Sequence, residues 1–206
     1  RLPDLSSLLT PPQLDAVQYG AGHSLILAGA GSGKTRVLIY KICRILSEQL
    51  AAPDEILAVT FTNKAAAEMR ARAAQYLGYP VHLPWLGTFH SICVRVMRRW
   101  LPETRQGYFR SRNFSIYDEE DSRKLCSRIL KEEAHRDLGI DFRTMQRAVS
   151  KLKNDFVSVQ EANLEAIHAE QIALASLYAR YEELLRSNNA LDFDDLLLHA
   201  VHLLER

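Results

Sequence analysis

The sequence predicts an α/β protein: a parallel sheet clad in helices, joined to a region that is almost wholly helical. Three observations carry this. A short apolar run that meets a polar or glycine-rich corner and then a helical pattern occurs three times before Trp100. Beyond Trp100 strand-like runs nearly vanish and apolar residues recur at helical spacing. The chain has 206 residues, 47% of them hydrophobic and 25% charged, which suits a soluble globular protein of one to two domains.

Each element follows from local pattern. Ser24–Ala28 is an apolar run suited to a buried strand; it meets Gly29, Gly31 and Gly33 and then a helical stretch from Arg36 to Leu50. Ile56–Thr60 is the second strand. Polar Thr62 and Asn63 follow it, with Asn63 as the expected N-cap of a helix rich in Ala, Glu, Met and Arg. His82–Leu86 is the third, ending at Gly87 and Thr88 before a helix from Phe89 to Trp100; Pro84 confines it to a strand end or an edge. Parallel strands of this kind are buried on both faces and bind ligands beyond their carboxyl ends, so the three corners are expected to converge on one crevice. Further on, Asp118 reads as the N-cap of a helix carrying Leu125, Cys126, Ile129 and Leu130. Leu174, Leu177, Tyr178, Tyr181, Leu184 and Leu185 form one apolar helical stripe. The expected division is 1–100 for the sheet domain, 101–190 for a helical insertion and 191–206 for the start of a return toward the first domain.

Composition narrows the classes of function. No stretch approaches the roughly 20 apolar residues of a bilayer span, and the richest, Leu196–Leu204, is broken by His199 and His202. No apolar signal core follows Arg1, and Cys43, Cys93 and Cys126 are too scattered for a disulfide frame or a zinc set, so a cytoplasmic protein with reduced thiols is expected. A net charge of +1 makes nucleic-acid binding a matter of a local groove rather than of bulk charge. Arg95, Arg98, Arg99, Arg105, Arg110 and Arg112, interleaved with Tyr108, Phe109 and Phe114, read either as such a patch or as a solvated face.

The strongest chemical signal is Ala28, Gly29, Ala30, Gly31, Ser32, Gly33, Lys34 and Thr35, a P-loop that departs from G-x-x-x-x-G-K-[ST] only at Ala28. Glycines let consecutive backbone N–H groups close on phosphate oxygens, and the following helix adds its positive end. Lys34 supplies a charge between the β- and γ-phosphates of ATP, and the Thr35 hydroxyl is suited to Mg²⁺. A dinucleotide fingerprint fails, because its third glycine would fall on Lys34 or Arg36.

The cradle does not say what ATP drives; the other corners do. Leu9–Val17 with Gln13, the P-loop, Ala58–Arg70, Leu86–Ser91 and Leu191–Leu196 together resemble, in order and spacing, the first domain of superfamily 1 DNA helicases of the UvrD/Rep/PcrA group, across essentially the whole chain. The resemblance implies an incomplete RecA-like P-loop sheet with a helical inserted subdomain. It implies an ATP-dependent motor of DNA repair or replication, running 3′→5′ on single-stranded DNA and at duplex junctions. By the same resemblance Gln13 reads the adenine edge, for which a Gln amide offers one donor and one acceptor. Arg36 lies near the nucleotide, and Phe61, Thr62, Asn63, Thr88, Phe89 and His90 line the DNA path. An aromatic face stacks a base there, and a hydroxyl or helix N-terminus holds a phosphate. Core packing is the competing reading of both phenylalanines.

Hydrolysis also needs a carboxylate pair at a strand end. Asp118-Glu119 and Asp192 to Asp195 both read better as helix N-caps, so this chain is expected to recognise nucleotide without turning it over. A helicase subunit of a helicase–nuclease complex, a P-loop small-molecule kinase and a non-catalytic regulatory module remain as alternatives.

Overall fold

The computed structural model describes residues 5–20, 22–102, 110–132 and 139–205. The chain divides into two compact units, Arg1–Ile92 and Cys93–Arg206.

In the first unit, α1 (Pro11–Gln18) starts on two prolines, whose fixed φ suits the first helical turn and whose missing N–H costs nothing there. Next come α2 (Lys34–Ser47), β1 (Ala58–Thr60), α3 (Asn63–Leu77), β2 (Leu86–Thr88) and the start of α4 (Phe89–Trp100). Strands β1 and β2 pair in parallel, with Ala58 opposite Leu86 and Thr60 opposite Thr88. Ile39, Ile42 and Cys43 of α2 pack with Ala66, Met69 and Ala73 of α3 and with Ala58 and Leu86 of the strands. The Arg70 guanidinium donates to the Leu86 carbonyl, pinning α3 to β2. Burial pushes the Cys43 thiol up to about 11, so it stays protonated in its apolar setting.

Two strand expectations are corrected here. Ser24–Ala28 is not a strand: no residue pairs with it among those described, and Leu25 and Leu27 are 82% and 85% exposed. A doubly buried strand requires ladder partners and two covering layers, and the β1–β2 pair does not reach this segment. The third strand begins only at Leu86, because Pro84 has no N–H to give a ladder. The cap of α3 also moves by one residue: Thr62, not Asn63, is the N-cap, its hydroxyl accepting from Ala65 N–H at 3.1 Å.

In the second unit, β3 (Ser115–Ile116), α5 (Glu119–Glu132), α6 (Phe142–Asn154), α7 (Val159–Glu165), α8 (Ala169–Ser187), β4 (Ala190–Leu191) and α9 (Phe193–Leu204) follow the rest of α4. The predicted stripe on α8 is its buried face, with Leu177, Tyr178, Tyr181 and Leu185 packed against Leu125, Cys126 and Ile129 of α5 and Met145 and Val149 of α6. Asp118 accepts from Asp121 N–H at 2.9 Å and Asp192 from Asp195 N–H at 2.9 Å, so both acidic pairs are helix caps as their spacing predicts. Residues 190–204 lie in this unit, β4 pairing in parallel with β3.

Candidate nucleotide and DNA site

The P-loop turns on two left-handed glycines, Gly31 at φ 75° and Gly33 at φ 86°, a conformation that strains any residue bearing a Cβ. Gly33 is the N-cap of α2, so Lys34 and Thr35 open the helix where its unpaired N–H groups and positive end face the loop. The Lys34 ammonium donates to the carbonyls of Ala28 at 2.7 Å and Gly29 at 2.6 Å. Ser32 Oγ closes the turn on the Gly29 carbonyl at 2.8 Å. All of this is solvent-exposed, and neutral carbonyls are weaker partners for an ammonium than phosphate oxygens are. The geometry is therefore suited to an anion, with the lysine tethered on replaceable acceptors.

Gln13 reaches the same loop. Its Nε2 donates to the Ser32 carbonyl at 2.9 Å and lies where a Cβ on Gly33 would have to go. Arg36, in the first turn of α2, lays its guanidinium 5.7 Å from the centre of the Tyr40 ring, with Nε buried and without a hydrogen-bond partner. Gln13, the loop and the first turn of α2 with Arg36 thus lie together.

Corners two and three also come together. Phe61 follows β1 and Phe89 follows β2, and parallel pairing of those strands brings the rings to 5.8 Å between centres, tilted by 52°. Phe61 is 91% exposed and Phe89 49%, so the core-packing reading fails for Phe61. The hydroxyls expected to face phosphate have a local duty. Thr62 caps α3, and Thr88 Oγ1 accepts from Ser91 N–H at 3.2 Å in the first turn of α4. Asn63 is exposed and His90 partly buried beside them. Two aromatic faces and two helix N-termini therefore share one rim.

The arginine stretch after α4 is not one continuous face. Arg98 lies over Phe114 at 5.1 Å, whereas Arg110 is buried and donates to the Ala190 carbonyl at 3.1 Å. Arg105, Tyr108 and Phe109 lie outside the described residues.

Sequence reasoning missed a buried ionic cluster in the second unit. Lys153 of α6, fully enclosed, meets Glu182 at 2.7 Å, Asp192 at 2.8 Å and Asp195 at 2.7 Å, and Tyr181 donates to Asp192 at 3.0 Å. Burial disfavours the Lys153 ammonium, but the carboxylates of Asp195, Glu182 and Asp192 outweigh it and hold the pKa well above its ordinary value. Three carboxylates face Lys153 and the more distant Arg110, 3.7 Å from Glu182. One carboxylate is left in excess, and burial pushes Asp195 up to about 7. A lysine among the apolar positions of α6 was the available signal, and it reads as an ordinary surface residue until its partners are known. No group of His, Cys, Asp or Glu among the described residues is arranged to hold a metal ion.

A profile of the UvrD/REP helicase N-terminal domain matches residues 9–206. The chain is similar to the ATP-dependent DNA helicase PcrA of Staphylococcus epidermidis, 42% identical over 194 residues that make up 94% of this chain and 26% of that protein. The PcrA protein of Staphylococcus aureus strain Mu50 is 41% identical over the same coverage. The chain thus spans about a quarter of the length of these relatives. A match over nearly the whole chain places this chain in the UvrD/REP helicase N-terminal domain family.

Proposed function

We propose that this chain is the ATP-binding front part of an ATP-dependent DNA helicase or translocase that moves 3′→5′ on single-stranded DNA and opens duplex at junctions, in the cytoplasm. The first unit is its RecA-like motor domain and the second its helical subdomain. The observation that carries this reading is the exposed Phe61–Phe89 pair at the ends of two parallel strands, in the unit that also holds the P-loop. A kinase has no use for such a pair, and family membership sets that alternative aside.

In this reading Ala28 to Thr35 wrap the triphosphate, Lys34 exchanges the Ala28 and Gly29 carbonyls for phosphate oxygens, and Gln13 and Arg36 flank the nucleotide. The Thr35 hydroxyl is the one P-loop group suited to Mg²⁺, which neutralises phosphate charge when bound. Phe61 and Phe89 stack bases, while Thr62, Asn63, Thr88 and His90 line the strand.

The test is Lys34→Ala in the full-length protein. ATP turnover is lost while affinity for oligothymidylate is largely kept; retained turnover overturns the assignment. In the present chain the same change weakens binding of a fluorescent ATP analogue by about 1.5–3 kcal/mol, the worth of a charged hydrogen bond.

A further inference from the structure

We infer that the second unit carries its own contact for single-stranded DNA, a groove between α5 and α6 that grips the phosphate backbone. It is a second hold on the strand proposed above, and rests on that reading for the identity of its occupant.

The groove encloses about 970 Å³. Along one wall α6 presents Arg143, Arg147 and Lys151, each one turn from the next on a single helical face, and Arg123 of α5 lines the groove with them. All four are exposed. Three other cations of this unit are neutralised by close carboxylates: Lys124 by Glu120 at 2.9 Å, Arg128 by Glu132 at 2.7 Å and Arg180 by Glu183 at 2.8 Å. Among the described residues no carboxylate lies within ion-pair distance of Arg123, Arg143, Arg147 or Lys151. Like charges one turn apart repel, and among the described residues no ion pair relieves the repulsion.

The acids at this groove do not cancel the row. Asp192 is held by buried Lys153 at 2.8 Å, which leaves Asp194, bonded only to the neutral Asn154 amide at 3.1 Å, and Glu119 as two acids against the four cations. A polyanion is the partner that this charge pattern fits. The row is about 12 Å long at about 1.5 Å of rise per residue, enough to face roughly three phosphates at about 3.4 Å each along one strand. Cations from two helices flanking a groove suit a single strand lying lengthwise, and Phe193, 47% exposed, offers a stacking face on its lining.

The experiment is a fluorescence-anisotropy titration of labelled oligothymidylate over a salt series, with the 206-residue chain and its Arg143→Ala/Arg147→Ala/Lys151→Ala variant. Loss of three phosphate contacts makes the slope of log K against log salt shallower by about 2 and lowers low-salt affinity at least about tenfold by the same loss of counterion release. The unfolding midpoint in urea stays put, and Arg147→Lys alone keeps the slope. Phe61→Ala weakens binding without changing the slope, so the strand-end corners and the groove fail separately. A triple variant with unchanged affinity and slope overturns the groove and leaves the helicase reading standing. Absence of oligothymidylate binding by the parent chain overturns both. Loss of binding to blunt duplex or to polyglutamate, with oligothymidylate binding intact, assigns the groove to another partner and overturns it as well.

Discussion

Gln13 Nε2 donates to the Ser32 carbonyl at 2.9 Å while Gln13 Oε1 accepts from Thr10 N–H at 3.0 Å. Both ends of the amide are thus committed, one of them to the P-loop itself. Each end keeps one free site, an N–H and a lone pair, so a base read by this amide binds a group already fixed on the loop, which ties base recognition to the shape of the phosphate cradle. Gln13→Ala is expected to lower the preference for ATP over GTP by about 1–3 kcal/mol, the worth of a bidentate base contact, while affinity for tripolyphosphate does not fall. Competition titrations against a fluorescent nucleotide measure this, and an unchanged ATP-to-GTP ratio removes Gln13 from base reading.

Phe61 is the more exposed partner of the Phe61–Phe89 pair, so its truncation opens no cavity. Phe61→Ala is expected to weaken oligothymidylate binding by about 1–3 kcal/mol, the cost of one lost base stack, with stability unchanged within about 0.5 kcal/mol, as for other surface substitutions. Equilibrium binding and urea unfolding, run side by side, decide it. A loss of stability with intact affinity would return Phe61 to a packing role.

Lys153 contacts three carboxylates, buried Asp192 and Asp195 and largely buried Glu182. Lys153→Met leaves them facing one another in an enclosed space, and stability is expected to drop by about 3–5 kcal/mol. Urea unfolding followed by circular dichroism reads the loss. A drop below about 1 kcal/mol would mean that the cluster is hydrated and behaves like a surface pair.

Asp195 and His199 impose opposite pH dependences on this unit. Burial raises Asp195 to about 7, so between about pH 4, its unfolded value, and pH 7 the folded chain holds a proton that the unfolded chain releases. That contribution is full at the acid end of the window and is lost as pH rises. His199 is held down to about 3, first by burial and then by the charges of Arg110 and Lys153. Below about pH 6.5, its unfolded value, the unfolded chain takes a proton that the folded chain refuses. That contribution is full above pH 6.5 and is lost on acidification. His199→Gln should therefore gain stability relative to the parent as pH falls from 6.5 to 4. Asp195→Asn should lose stability relative to the parent over the same range. Denaturation midpoints at several pH values give both differences, and parallel profiles for parent and variants would contradict the assignment.

How much was legible depended on range. The acidic caps of α5 and α9 follow from residues within a turn of one another, and the structure has them where the spacing puts them, while α2 opens at Lys34, two residues before the expected Arg36. Thr62 took the cap expected of Asn63 because both are good caps and only the entry angle of the chain from β1 selects between them. Ser24–Ala28 misled for the opposite reason: its apolar pattern is right for a strand, but strand formation is a property of the neighbours that supply the ladder.

By itself the sequence determined the local chemistry: an anion cradle on a helix N-terminus, aromatic residues just past two strands, and helices with their caps. These rest on backbone preferences and hydrogen bonds spanning three or four residues, which need no distant partner. Only the tertiary structure decided that Phe61 meets Phe89, that Gln13 reaches Ser32, and that Lys153 is buried among Glu182, Asp192 and Asp195. The physical reason is common to all three. Each joins groups far apart along the chain, and a charge or a ring has no settled role until packing chooses what surrounds it.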